Sequence, residues 1–402
     1  MQSYSKLYLL NRVLCSPLEI LFTLLVFILS KNLNALAYQL TLIACLKPIT
    51  SFFAFYASSV IFDKPQRIRR YLFINSLIGC VPCLFYPFVK NVWFYIASYT
   101  LFMITMRAAS PAWIEVLKST FKTQELSKIF SKGTSITYGM TIFFPPICCF
   151  FMDQNENLWR YLFMGFAILH LLNIGLISLI KPNAKISFSN TFVNPLKQGW
   201  SLLLAKPALI HYQLLFFLGG VGIIMAQPIL PQFFKDNLNL SYTQLGMAFS
   251  FCKGISFVLT SSTWAKYANR LSLYHLNCFV NLFTSLFFAF IWSSQFEINL
   301  LYLAYLFYGT MQAGCEMSWN LSGPFFSGKE ESTIYSSLNL AFVGIRGCIC
   351  PFLGYLLFIN TNANVVFATS CAISLIGIVY GVLIDRKYQN PSTIQTNSMV
   401  LT

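Results

Sequence analysis

The sequence predicts an all-α membrane protein with twelve transmembrane helices, arranged as two pseudo-symmetric six-helix bundles. Of its 402 residues, 56% are hydrophobic and only 10% are charged, whereas soluble domains carry roughly 25% charged residues. So few charges cannot cover a water-exposed surface, and most of the surface must therefore face lipid. Long apolar runs and a one-sided distribution of basic residues indicate the same fold.

The apolar runs give the number of helices, because a bilayer core takes about 20 residues of helix. Twelve runs reach this length, near residues 8–30, 36–62, 71–89, 92–114, 134–152, 160–180, 208–234, 242–264, 274–294, 298–320, 334–359 and 364–384. The longest polar interruption separates the first six runs from the last six. The predicted domains are an N-terminal bundle over 1–180, a cytoplasmic linker over 181–207, a C-terminal bundle over 208–384 and a cytoplasmic tail over 385–402.

The basic residues test this helix count, because they collect on the cytoplasmic loops of membrane proteins. With both termini in the cytoplasm, cytoplasmic segments contain 19 Lys and Arg residues, and the opposite side contains only Lys31, Lys90, Arg160 and Lys235. A miscounted helix would invert every later loop and erase this bias. The bias explains the net charge of +15 without a nucleic-acid partner. The short loops favour a monomer in a bacterial inner (plasma) membrane.

An internal repeat supports the division into halves. A shift of 206 residues places Lys47 on Lys253 and Pro145 on Pro351, and the same shift places Trp113 on Trp319. One shift thus aligns the second, fourth and fifth runs with the eighth, tenth and eleventh. Parallel repeats of six helices are a known transporter architecture.

Several motifs resemble those of the major facilitator superfamily, and the resemblance covers essentially the whole chain. The segment after the second run resembles the family's G-x-x-x-D-R-x-G-R-R loop, with both glycines replaced and with the acidic and basic positions occupied by Asp63, Lys64, Arg67 and Arg70. The stretch from Trp159 to Phe163 resembles its W-R-x-x-F motif, and Pro351-x-x-Gly354 resembles its G-P-x-x-G motif. The resemblance implies a secondary transporter that works by alternating access, with the 63–70 segment as a gating loop.

Ionisable residues inside the apolar runs are the candidate functional residues, because a charge at membrane depth costs about 3 kcal/mol and usually faces a cavity or a partner. The chain has four such bases and two such acids: Lys47, Arg107, Lys253 and Arg346, with Glu19 and Glu316. Lys47 and Lys253 lie near the middle of their runs at matching repeat positions. Two cations facing each other there would clamp an anion at the membrane midplane.

The excess of two bases predicts a small anionic organic substrate. Gln227, Trp319 and Asn320 are further polar or aromatic residues expected to line the cavity. The competing interpretation is structural: Glu19–Lys47 and Glu316–Arg346 would be internal ion pairs that stabilise helix packing. The sequence leaves both interpretations open.

Glu19 and Glu316 are also candidate proton carriers, so proton-coupled symport, antiport and uncoupled transport all remain open. A transporter of lipids or amphipathic compounds is the alternative substrate class, since the chain has 41 Phe residues. A membrane-embedded transferase is the alternative from a different class. It is disfavoured because no catalytic acid–base pair or metal-ligand spacing is evident, and the three histidines are scattered. No enzymatic activity, cofactor or metal is therefore predicted.

Overall fold

The computed structural model describes residues 2–62, 68–120, 123–178, 201–268, 270–327 and 332–389. Within these ranges every regular element is a helix and none is a strand, which confirms the predicted all-α class. In the same ranges, nine helices are long and apolar enough to cross a membrane, or ten if one bent pair counts as a single span. Each of the twelve predicted runs coincides with a helix or with consecutive helical segments.

The first six runs correspond to seven α-helices, because the first run is divided in two. They are α1 (Gln2–Phe22), α2 (Leu25–Leu33), α3 (Ala37–Phe62), α4 (Ile68–Leu84), α5 (Val92–Thr120), α6 (Thr123–Gln154) and α7 (Leu158–Ser178). A 3-10 turn (Tyr86–Phe88) follows α4. α1 and α2 are inclined to each other by 44°. α2 ends at Asn34, which adopts the left-handed conformation (φ 49°), as asparagine often does at a helix terminus.

The last six runs correspond to eight helices and one π-helical segment. They are α8 (Pro207–Ala226), α9 (Leu230–Asp236), α10 (Tyr242–Gly246), the π segment (Met247–Cys252), α11 (Lys253–Ala268), α12 (Leu273–Ser293), α13 (Asn299–Ser327), α14 (Ser332–Asn360) and α15 (Ala363–Gln389). Pro228 lies between α8 and α9, where its missing N–H favours a break. Ser241 and Gln244 form a capping box that starts α10.

The outward faces of the helices carry large apolar side chains. On α15, Ile376, Val379 and Leu383 are each about 60% exposed, and they lie on one helix face because they are three and four residues apart. Such a face is unfavourable in water and suited to lipid. The exposed apolar surface therefore agrees with the fold class.

The chain divides into two compact units. Unit 1 consists of Met1–Asn190 and Phe234–Phe251, and unit 2 consists of Thr191–Phe233 and Cys252–Thr402. Residues 181–200 of the predicted linker and 390–402 of the predicted tail lie outside the described residues. The division into a bundle over 1–180, a linker over 181–207 and a bundle over 208–384 stays a prediction.

The cytoplasmic tail over 385–402 also stays a prediction, and its first residues belong to α15. The helix continues to Gln389, and the Asp385 side chain is only 1% exposed. Its carboxylate forms an ion pair with His275 (Nδ1–Oδ2 2.7 Å) and accepts a hydrogen bond from the Ser272 hydroxyl. Because both partners belong to the first turn of α12, the last turns of α15 are fixed to that helix.

An aromatic cluster forms the core of unit 1. Trp159 and Phe163, the ends of the W-R-x-x-F stretch, are fully buried on α7. The Trp159 ring lies 5.1 Å from Tyr95, and the Phe163 ring lies 5.0 Å from Tyr86 and 4.9 Å from Phe22. In this chain the motif therefore packs α7 against α1, α5 and the turn after α4.

A hydrogen-bond cluster in unit 1 attaches the start of α10 to the end of α6. The Asp153 carboxylate accepts hydrogen bonds from the backbone N–H groups of Tyr242 and Thr243, both at 2.7 Å. The Lys31 ammonium lies 4.5 Å from the centre of the Tyr242 ring and donates to the Leu240 carbonyl at 3.0 Å. A carboxylate at a helix N-terminus satisfies N–H groups that lack intrahelical partners. Asp153 thus caps α10 from another helix.

We expect Asp153→Ala to loosen the start of α10. Loss of a helix cap costs about 1 kcal/mol, so hydrogen-exchange protection of the Tyr242 and Thr243 amides should fall roughly fivefold. Hydrogen exchange with peptide or residue resolution measures this directly. Glu156→Ala is the matched control: it removes a nearby carboxylate to which no N–H group of α10 donates, and it keeps the backbone carbonyl that accepts from Asn32 at 2.9 Å. Unchanged exchange in Asp153→Ala would show that the cap is dispensable.

Candidate functional site

Arg346 is the most unusual charged residue that the structure describes inside a membrane helix. It lies on α14 and is only 6% exposed. Its Nη1 donates to the backbone carbonyl oxygens of Phe216 (2.7 Å) and Phe217 (3.1 Å) on α8. Its Cζ lies 5.5 Å and 5.9 Å from the ring centres of the same two residues. The guanidinium is therefore held against α8 by two carbonyls and two aromatic rings.

Gly220 provides the space for this guanidinium. A Cβ added at Gly220 would lie 2.0 Å from both Cζ and Nη1 of Arg346. Real Cβ atoms do not approach other heavy atoms so closely, so any side chain at position 220 would displace the guanidinium. The glycine is thus a requirement of the observed arginine position.

A second polar contact one heptad away fixes the register of α8 against α14. The Gln213 amide donates to the Asn339 side chain, and Asn339 in turn donates to the Ser322 hydroxyl of α13. Gln213 and Gly220 are seven residues apart, as are Asn339 and Arg346, and seven residues are about two helical turns. The two contacts therefore lie on one face of each helix, and the first one positions the second.

Arg346 has no acidic partner among the residues that the structure describes. It forms no ion pair with any residue that the structure describes, Glu316 included, and its buried Nε has no hydrogen-bond partner. The Glu316–Arg346 ion pair considered from the sequence is thus not formed. Burying a charge costs several kcal/mol, and two hydrogen bonds from a charged donor return about 3–6 kcal/mol. An anion at this position would add the missing compensation.

Trp319, a predicted cavity residue, contacts this arrangement through Phe216. Its ring lies 5.8 Å from that of Phe216, which itself contacts Arg346. The other two predicted cavity residues, Gln227 and Asn320, are exposed, and neither forms a hydrogen bond with Arg346. The structure therefore brings Arg346, Phe216 and Trp319 together and leaves Gln227 and Asn320 apart.

Lys253 begins α11 immediately after the π segment. Its ammonium lies 5.8 Å from the centre of the Tyr308 ring on α13. Gly309 allows the two helices to approach closely, since an added Cβ there would lie 2.1 Å from the Lys253 carbonyl oxygen. Short π-helical segments are frequent at functional sites. Lys253 is thus half-buried beside an aromatic ring of α13.

The predicted residues of unit 1 are less completely placed. Glu19 on α1 and Arg107 on α5 are half-buried, and neither forms an ion pair or a side-chain hydrogen bond with any described residue. Lys47 lies in α3, but its side chain is outside the described residues, as are Asp63, Lys64 and Arg67 of the predicted gating loop. Arg70 is exposed at the start of α4. The Glu19–Lys47 pair and the midplane clamp therefore stay predictions.

Three features of the site are absent from the sequence prediction. The carbonyls of Phe216 and Phe217 bind Arg346, Gly220 accommodates it, and the Gln213–Asn339 contact aligns the helices. The only sequence signal is the shared seven-residue spacing of polar and small residues in two apolar runs. Among the described residues, no group of three or more His, Cys, Asp or Glu side chains is placed to hold a metal ion.

The fold is similar to that of solved transporters. A nucleoside transporter, NupG, is 13% identical, with a TM-score of 0.71 over 94% of this chain and 98% of its own. A POT family transporter in complex with 5-aminolevulinic acid is 11% identical, with a TM-score of 0.71 over 96% of each chain. A bacterial homolog of the human lysosomal transporter Spinster is 11% identical, with a TM-score of 0.61 over 96% of each chain. At such low identity these similarities establish the fold alone.

The sequence itself gives the family. No curated protein sequence matches the chain significantly. The model of the Major Facilitator Superfamily matches residues 18–347, most of the 402 residues. This match confirms the family indicated by the sequence motifs: the chain is a member of the Major Facilitator Superfamily of transporters.

Proposed function

We propose that this protein is a secondary transporter that moves a small organic anion across the membrane by alternating access. The observation that carries the proposal is the buried guanidinium of Arg346, which has no acidic partner among the described residues. A permanent positive charge in an apolar bundle is stabilised by an anion that arrives and leaves. A fixed carboxylate would instead neutralise the site and remove the reason for an anion to bind.

Other charges support an anionic substrate. Lys253 is a second half-buried cation of unit 2, and Lys47 occupies the matching repeat position in the first half of the sequence. The proposal assigns Lys47, Arg107, Lys253 and Arg346 to substrate binding. The solved structures with this fold include nucleoside and peptide transporters, so the fold alone does not select the substrate.

Proton coupling forms part of the proposal. Glu19 and Glu316 are carboxyl groups in otherwise apolar helices, and a carboxyl group that is alternately exposed to the two sides of a membrane carries a proton with it. We place the protein in a bacterial inner membrane, with both termini in the cytoplasm, acting as a monomer without enzymatic activity or a cofactor. The alternative substrate class, lipids or amphipathic compounds, is supported by the high Phe content.

We expect anionic metabolites to raise the unfolding temperature of the purified protein, since a ligand that binds only the folded state stabilises it. Neutral and cationic compounds should have no effect. Arg346→Gln should remove the stabilisation, with a loss of affinity of at least about tenfold, equivalent to about 1.4 kcal/mol. Lys266→Gln, which removes an exposed cation at the end of α11, is the matched control. Stabilisation by neutral compounds or lipids alone would overturn the anion proposal.

We expect Lys253→Ala and Lys47→Ala each to abolish uptake while the protein still folds, because each removes one positive charge from the substrate path. Uptake into proteoliposomes with an imposed pH gradient measures both transport and its proton coupling. Lys132→Ala changes an exposed lysine of α6 and serves as the control. Normal uptake by both variants would exclude the lysine clamp and leave Arg346 as the only tested anion-binding cation.

A further inference from the structure

One nitrogen of the Arg346 guanidinium, Nη1, forms hydrogen bonds, and the other two, Nε and Nη2, form none with a described residue. Nη1 makes both hydrogen bonds, to the carbonyls of Phe216 and Phe217. No hydrogen bond from Nε or Nη2 to a described residue is formed, and Nε is buried. A guanidinium presents its donors in a fixed plane. The two nitrogens without partners therefore lie side by side along one edge of that plane.

The surroundings hold this plane in a defined orientation. Gly220 lies directly against one face of the guanidinium, so that a Cβ would overlap Cζ, Nη1 and Nη2. The Phe216 and Phe217 rings flank the same group, and both carbonyls pull Nη1 towards α8. A guanidinium restrained at three places keeps Nε and Nη2 on the same side of the group. The orientation of the free edge is thus set before any ligand binds.

We propose that this edge binds the carboxylate of the substrate, with one oxygen on Nε and the other on Nη2. The inference rests on the proposed transport of organic anions and specifies the anionic group. Two parallel N–H···O hydrogen bonds between a guanidinium edge and a carboxylate give both strength and directionality. The third nitrogen stays on the α8 carbonyls, so binding does not break the existing contacts.

The charge of the site favours a monoanionic carboxylate over a phosphate dianion. One guanidinium balances one negative charge, and its nearest aromatic neighbours are apolar. A dianion would bring a second negative charge into the same apolar surroundings, where an uncompensated charge is unfavourable. The aromatic rings of Phe216 and Trp319 suit an apolar substituent on the carboxylate.

The experiment uses the full-length protein in detergent and compares three probes of similar size: phenylacetate, its neutral amide phenylacetamide, and phenyl phosphate. We expect phenylacetate to raise the unfolding temperature in a concentration-dependent way, and the other two probes to have little effect. Arg346→Lys keeps the positive charge and loses the planar fork. This variant should bind phenylacetate at least about tenfold more weakly.

Gly220→Ala tests the same edge without changing any charge. The added Cβ would meet the end of a flexible side chain, so the guanidinium moves and the helices stay in place. We expect the same loss of phenylacetate binding with an unchanged elution volume on size exclusion. Gly219→Ala is the matched control on the same helix, because its Cβ would lie 3.0 Å from Asn281 and away from Arg346.

The outcomes separate this inference from the proposed function. Equal binding of phenylacetate by Arg346→Lys and the wild type would overturn the edge assignment, because charge alone would suffice. Stabilisation by phenyl phosphate but not by phenylacetate would overturn the carboxylate and leave an organic-anion transporter. Absence of stabilisation by any anion, these probes and anionic metabolites alike, would overturn both. The comparison of the acid with its amide on the wild type tests the carboxylate. If Arg346→Lys fails to fold, Gly220→Ala tests the edge, and normal phenylacetate binding by that variant would overturn the assignment.

Discussion

Hydrocarbon offers no hydrogen-bond partner to a peptide group, and this constraint determines most of what the structure shows. Within the described residues the backbone is almost continuously helical, because a helix satisfies its own N–H and C=O groups. Interruptions occur where other groups replace the missing bonds. The first N–H groups of α10 bind the Asp153 carboxylate, and the Ser272 hydroxyl caps the start of α12. The polar side chains at these positions therefore accept hydrogen bonds from backbone N–H groups that have no partner within their own helix.

Arg346 is the exception, because its side chain brings donors into the bundle that the backbone does not need. The carbonyls of Phe216 and Phe217 lie within a helix and accept the guanidinium as an additional donor, using the second lone pair of each oxygen. This arrangement holds the arginine in place without removing its charge. It differs from the His275–Asp385 pair, in which an acidic side chain lies 2.7 Å from the basic one. In unit 2, the first arrangement suits ligand binding and the second suits helix packing.

The fold was largely predictable from the sequence, and the site was not. An apolar run of about 20 residues indicates a segment that crosses the lipid bilayer, and such a segment is helical. All twelve predicted runs therefore coincide with helical segments in the structure. Several motifs together with the six-plus-six pattern indicate the family, and the motif from Trp159 to Phe163 packs aromatic side chains in this structure. The charged residues inside the runs were identified, but their partners were not. Whether Arg346 meets Glu316 depends on helix rotation by a fraction of a turn, which hydropathy does not specify. The helical conformation of Asp385 was not predictable, because an acidic residue resembles the start of a loop when its partner His275 is remote in sequence.

The close fit of Gly220 to Arg346 means that substitutions at these two positions, which are 126 residues apart in the sequence, depend on each other. A larger residue at position 220 would push the guanidinium from the carbonyls, and a shorter residue at position 346 would leave a gap over the glycine. Neither position can change alone without loss, whereas a paired change could exchange the arginine for a packed apolar contact. Under the proposed carboxylate binding, relatives that keep both residues would share one binding chemistry. Relatives that have replaced both would then take a different class of substrate.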